Sequence, residues 1–186
     1  MIKAGQISKG MFLLIKEEPC LVVEREFVNP GKGQAFVRLR MKGLKTGKSI
    51  QQTFKTPDNV DDIHVDMRPA QYMYADDESF HFMDNESFEQ VAVEKEGLED
   101  RQNWLKEGST YDLIIYEGKA IDIKVPYKVV MTVTQASVGL KGDTATGATK
   151  PVTIETGFSV RVPLFIKEGD KVLINTETGE YVERVN

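Results

Sequence analysis

The chain reads as an all-β protein of three small barrels, and three observations lead there. Its apolar stretches are short and repeatedly broken by turn residues. Period-2 alternation recurs, most plainly where Val37, Leu39 and Met41 alternate with Arg38, Arg40 and Lys42. Helical spacing shows only at Leu98, Arg101, Trp104 and Leu105, which predicts one short helix before Gly108.

The first barrel, of the SH3 type, opens with the strand Met11–Ile15, a turn over Lys16–Pro19, and the strand Cys20–Val23. After Asn29–Ala35 comes the alternating strand Phe36–Lys42, whose polar face is wholly cationic. A turn from Gly43 to Lys48 leads to Ile50–Phe54, and the barrel is expected to end near Thr56-Pro57-Asp58.

The second block places strands at Gln71–Tyr74, Phe80–Met83, Tyr111–Tyr116 and Ala120–Ile123. Turns fall at Asp76-Asp77-Glu78 and Glu117-Gly118-Lys119. These four strands, with a fifth and one helix expected in the same span, suit an OB-type barrel. The third block repeats the theme with Val129–Val133, Ser159–Leu164, Lys171–Asn175 and Glu180–Glu183, the last two joined by a turn at Thr176–Gly179. The domains are therefore expected at 1–64, 65–127 and 128–186.

A net charge of −5 conceals a partition. Residues 1–57 carry a balance of +7, residues 58–127 a balance of −12, and residues 128–186 a balance of 0. The basic end suits phosphates, which the acidic middle would repel. The acidic middle is expected to be a solvated face.

The lone cysteine, Cys20, excludes an internal disulfide and suits a reducing compartment. It sits in a strand pattern and reads as a packed residue. The N-terminal Met1–Gln6 lacks the apolar core of a signal peptide, and no stretch approaches membrane-spanning length. A cytoplasmic location, with no membrane partner, is the expectation.

The segment Asn29-Pro30-Gly31-Lys32-Gly33-Gln34-Ala35 sits between strand-like runs. Proline fixes φ near about −65° and glycine adds no side-chain bulk, so Pro30-Gly31-Lys32-Gly33 reads as a β-hairpin tip. Lysine between glycines is also a common solvated turn. What the segment offers beyond that is one cation on a narrow finger, suited to insertion into a confined site or to a lysine-modifying enzyme.

Other motifs fail. Gly43-Leu44-Lys45-Thr46-Gly47-Lys48-Ser49 has three residues between its glycines where a phosphate loop needs four, and a strand follows it rather than a helix. His64 and His81 are isolated, so no metal site is expected. His81 should point to the face opposite Phe80 and Phe82. No nucleophile–base arrangement stands out, so neither catalysis nor a cofactor is expected. The Val138–Pro151 segment, rich in glycine and small polar residues, reads as a loop. It suits either a connector or contacts to a sugar-phosphate chain.

Four stretches in order carry a resemblance. They are Pro30–Phe36, Phe80–Glu86, Gly139–Ala145, and Val162-Pro163-Leu164-Phe165 with Gly179-Glu180-Tyr181-Val182. Over its whole length the chain resembles the bacterial elongation factor P family. The resemblance implies an SH3-like, KOW-like first barrel and two OB barrels in an L-shaped, tRNA-like arrangement. It implies a translation factor that binds both ribosomal subunits between the peptidyl and exit sites and relieves stalling at consecutive prolines.

The family's tip lysine maps onto Lys32, which in relatives carries an enzymatically added extension toward the peptidyl transferase centre. The family's Gly-Asp-Thr loop maps onto Gly142, Asp143 and Thr144, near messenger RNA in the exit site. Its C-terminal tyrosine and arginine map onto Tyr181 and Arg184, near the peptidyl-site tRNA. Arg38, Arg40, Lys42, Lys45 and Lys48 are expected to hold the acceptor stem electrostatically. Where many relatives have a further glycine, this chain has Ala148-Thr149. A generic OB/SH3 RNA-binding protein, with Lys32 one phosphate contact among many, is the competing reading.

Overall fold

The computed structural model describes residues 1–137 and 148–186. Their strands form three antiparallel sheets. The first contains β1 (Ile2–Lys3), β2 (Phe12–Ile15), β3 (Glu18–Val28), β4 (Phe36–Gly43), β5 (Ser49–Lys55) and β6 (Asn59–Asp62), in the order β1-β6-β2-β3-β4-β5. A 3₁₀ turn at Ala4–Gln6 bridges the sheet's ends, where Ala4 N–H donates to Asp58 O and Gly5 N–H to Thr56 O. Leu13, Cys20, Val22, Val37, Leu39 and Met41 fill the interior, the alternation along β4 deciding which side chains go inward.

Two expectations for this barrel change. It does not end at Thr56-Pro57-Asp58, because Asn59–Asp62 adds a strand that pairs with both β1 and β2. With a single apolar residue, Val60, that segment has little intrinsic strand character, and its two partners impose the strand. The turn expected over Lys16–Pro19 shrinks to Lys16-Glu17, since Ile15 already pairs with Glu18. Both turn residues have positive φ, 50° and 67°, the primed-turn geometry of a two-residue hairpin.

The second sheet contains β7 (Asp66–Ala75), β8 (Ser79–Asp84), β9 (Gln90–Glu94), β10 (Thr110–Tyr116) and β11 (Lys119–Lys124), in the order β11-β10-β7-β8-β9. The strand that no apolar run located is β9. The helix is a 3₁₀ helix over Glu99–Trp104, whose three-residue period matches the spacing of Leu98, Arg101 and Trp104. The acidic block is not uniformly solvated, because Asp84 and Asp122 are buried. Asp84 accepts the N–H groups of Glu86 and Ser87, which fixes the turn after β8. Asp122 accepts Ile123 N–H at 2.7 Å and meets Arg101 at 3.4 Å.

The third sheet contains β12 (Lys128–Ala136), β13 (Thr149–Ile154), β14 (Ser159–Pro163), β15 (Lys171–Asn175) and β16 (Tyr181–Val185), in the order β14-β13-β12-β15-β16. The loop read through Pro151 therefore ends sooner, and Thr149, Lys150 and Pro151 belong to β13. Proline and flanking polar residues hid that strand in the sequence. Lys150 is buried and donates to Ser137 O at 3.0 Å, which takes it out of any phosphate contact.

Buried residues also join the sheets. Leu44 packs with Ile114 and Ile121 between the first and second, flanked by Phe12, Leu21, Val65 and Tyr116. Trp104 leaves the second to pack in the core of the third, edge-on to Phe158 at 5.1 Å. Beside it Thr156 donates to Asn103 O at 2.8 Å, and Lys106 pairs with Glu155 at 3.1 Å.

Candidate nucleic-acid interface

The β3–β4 hairpin builds the site. Its last pair is Val28 with Phe36, so Asn29–Ala35 forms the connecting loop, as the sequence suggested. Thr56 N–H donates to Ala35 O at 3.0 Å and ties the loop's end to the strand beside it. Gly31, Lys32 and Gly33 are exposed, and Gly33 has φ +114°. A Cβ built on Gly31 meets nothing within 4 Å. No ion pair formed among the described residues includes Lys32. The chain has placed an open lysine on a slender tip.

The stalk is different. Glu24 lies directly opposite Arg40, and Glu26 opposite Arg38, on the outer face of the hairpin. Arg40 binds Glu24 at 2.7 Å and Arg38 binds Glu26 at 2.8 Å. The cationic face expected of β4 is thus matched by carboxylates from β3. The period-2 glutamates were visible in the sequence, but only the register of the strands pairs them with the arginines. Arg38 also lies over the Phe36 ring at 5.7 Å.

Lys42, Lys45 and Lys48 occupy the far end of β4 and the turn after it, not the tip. From Phe36 to Gly43 the strand spans about 24 Å at about 3.4 Å per residue. The turn is fixed by Glu18, whose carboxylate accepts Lys45 N–H at 3.0 Å, Thr46 N–H at 3.1 Å and the Thr46 hydroxyl at 3.2 Å. Sequence reasoning missed Glu18. As expected, the strand β5 follows this turn, which removes the helix that a phosphate loop requires.

In the third sheet, a register shift places Tyr181 opposite Ile174 and Arg184 opposite Val172. Residues three apart on a regular strand face opposite ways, but the irregularity at Val182 brings these two to one face. Arg184 is exposed and lies over the Phe165 ring at 5.9 Å. Gly142, Asp143 and Thr144 lie outside the described residues.

The aspartates whose pKa values are displaced do not resemble catalytic acids. Asp62, Asp76 and Asp84 all have lowered pKa values, whereas a catalytic acid needs a raised one. Asp76 is pulled down to about 2, first by its bond to His81 and then by the N–H groups of Ser79 and Glu78. His81 does face away from the buried Phe80 and Phe82. It stacks on Tyr74 at 4.5 Å, accepts the Gln90 amide at Nδ1 and donates from Nε2 to Asp76 at 2.6 Å. Burial, with the Glu18 charge second, pushes the Cys20 thiol up to about 11, so it stays a protonated packing group. Among the described residues no three His, Cys, Asp or Glu are arranged to hold a metal. No helix among them is long and apolar enough to cross a membrane.

Three successive small β domains, the first extended by a lysine-tipped hairpin, define an all-β protein with a single open cation at the end of its longest hairpin. Eukaryotic translation initiation factor 5A from Methanococcus jannaschii shares the fold over 67% of this chain and 91% of its own, at 23% identity and a TM-score of 0.50. Family models describe the N-terminal KOW-like domain (residues 3–60), the OB domain (65–123) and the C-terminal domain (129–184) of elongation factor P. Elongation factor P of Treponema pallidum (strain Nichols) is 58% identical over the full length of both chains. That of Treponema denticola is 54% identical over the same span. The chain belongs to the elongation factor P family, and it is a translation elongation factor, not an enzyme. Family membership makes the ribosome its partner.

Proposed function

We propose that this factor works in the cytoplasm, binds the ribosome between the peptidyl and exit sites, and stimulates peptide-bond formation at consecutive prolines. Lys32 is its working residue, extended by a lysine-modifying enzyme and directed at the peptidyl transferase centre. One observation carries this: the hairpin ends in an exposed lysine between two exposed glycines, clear of every ion pair described. Proline is a poor nucleophile whose ring misplaces the reacting groups. A factor that orients the peptidyl-tRNA recovers rate through positioning alone, with no acid or base of its own.

The remaining contacts follow the same reading. The chain acts as three domains, 1–64, 65–127 and 128–186, in an L-shaped arrangement like that of tRNA. Lys42, Lys45 and Lys48 meet backbone phosphates of the peptidyl-site tRNA, and Arg38 and Arg40 do so with the guanidinium N–H groups that Glu26 and Glu24 leave free. Tyr181 and Arg184, brought to one face, meet the same tRNA at the small subunit. Gly142, Asp143 and Thr144 reach messenger RNA.

The test is synthesis of a proline-rich peptide on purified ribosomes with wild type and Lys32→Ala. The expected result is rescue by wild type, no rescue by the variant, and ribosome binding by both. Equal rescue by both would remove Lys32 from the reading. If Lys32→Ala and Lys45→Ala weaken RNA binding equally and neither protein rescues, the generic RNA-binding alternative holds.

A further inference from the structure

Two turns from different sheets meet backbone to backbone. Gly47, in the β4–β5 turn, and Gly97, between β9 and the 3₁₀ helix, both have positive φ, +67° and +75°. A Cβ on Gly97 would lie 2.6 Å from both Cα and N of Gly47 and 2.9 Å from the Thr46 carbonyl carbon. A Cβ on Gly47 would overlap Gly97 Cα and lie 2.7 Å from its carbonyl oxygen. Carbon atoms rest at about 3.5–4.0 Å, so any side chain here forces the two backbones apart by about 1 Å.

Neither turn is free to recoil. Glu18 holds the first through Lys45 and Thr46, while Leu44 N–H binds Pro19 O at 2.8 Å and Gly47 N–H binds Gly43 O at 2.8 Å. The second is held by Lys95 N–H to Glu78 O at 2.8 Å and Leu98 N–H to Lys95 O at 2.7 Å. A displacement at the contact must therefore pass into the sheets themselves. β4 begins next to Lys32's loop and ends at Gly43, beside this contact, so the strand carries a tilt at its base to the tip.

We propose that the Gly47–Gly97 contact is a positioning device that sets the direction of the lysine hairpin relative to the second sheet. The functional half rests on the proposed role of Lys32, whereas the geometric half stands without it. Leu44, Ile114 and Ile121 supply the apolar adhesion beneath, and the glycine pair sets how closely and at what angle the two sheets meet. Gly47 and Gly97 touch no RNA in this account. They act through the lysine they aim.

The experiment compares Gly97→Ala and Gly47→Ala with Gly118→Ala. Gly118 has φ +79° and nothing within 4 Å of an added Cβ, so its variant carries the same backbone strain without the close approach. Spin labels at Gln34→Cys and Glu89→Cys, both exposed, report the placement of hairpin against second sheet, and buried Cys20 stays unlabelled. The expected result is a label distance shifted by about 2 Å in Gly97→Ala and Gly47→Ala and unchanged in Gly118→Ala.

Maximal stimulation of proline-peptide synthesis should fall about tenfold or more in the two contact variants. The factor concentration giving half-maximal effect should change far less, a split that simple loss of folded protein would not produce. An unchanged distance in both contact variants overturns the proposal, as does a shifted distance with full stimulation. Should one contact variant fail to fold, the other decides. If wild type purified from its native source, with any Lys32 modification in place, does not stimulate, the reading of Lys32 fails while the distances still decide whether the glycines set the angle.

Discussion

The two ends of β4 are written in the same residues and built in opposite ways. At the tip, Gly31-Lys32-Gly33 projects into open space, and an added Cβ on Gly31 would touch nothing. At the base, both glycines of Gly43-Leu44-Lys45-Thr46-Gly47-Lys48 are crowded. A Cβ on Gly43 would fall 2.6 Å from the Glu18 carboxylate and 2.8 Å from the Thr46 hydroxyl, and Gly47 is pressed against Gly97. Glycine at the base permits close approach, and glycine at the tip keeps a finger thin. The difference teaches that a glycine–lysine turn has no fixed meaning until its surroundings are known.

The largest effect on stability should come from the base. Glu18→Ala removes the acceptor of two backbone N–H groups and one hydroxyl, and should cost about 1–3 kcal/mol in urea unfolding. Gln34→Ala, in the tip loop, should stay within about 0.5 kcal/mol. Equal losses at the two ends would erase the contrast.

Gly33→Ala is next. With φ +114° in wild type, alanine there is strained, and the expected cost is about 1 kcal/mol by the same measurement. A neutral result would mean that the tip loop relaxes and that Gly33 serves clearance alone.

Between the two ends lies the stalk, where the Glu24–Arg40 and Glu26–Arg38 pairs are exposed. Double-mutant cycles should give coupling of about 0.2–1 kcal/mol for each, declining as salt rises. Coupling near zero would make the arginines as available to phosphates as the sequence alone suggested.

The residues divide by what reveals them. Alternation made Val37, Leu39 and Met41 legible as core, and the tip was legible from proline and glycine between strand runs. What stayed hidden was set by partners far away in sequence. Asn59–Asp62 becomes a strand only because β1 and β2 flank it, and Thr149–Ile154 only because β12 and β14 do. Lys150 looks like any loop lysine until β13 buries it. The arginine ladder looked available because its glutamates lie on another strand, and Gly97 gave no sign of its partner. Family motifs located Tyr181 and Arg184, but the irregularity that turns them to one face is a property of register.

The smallest expected change in stability is the sharpest test of the tip. Gly31→Ala adds one methyl where no atom lies within 4 Å, at a residue whose φ is not in the left-handed region. Unfolding should move by no more than about 0.5 kcal/mol, with Lys32 still exposed. If the tip must enter a confined site, that methyl widens the finger beside its working residue, and stimulation of proline-peptide synthesis should fall although the free protein is unchanged. The loss should appear in the maximal rate, since the rest of the hairpin still binds. Full activity would show that the tip has room to spare, and that Gly31 is there for the turn and not for clearance.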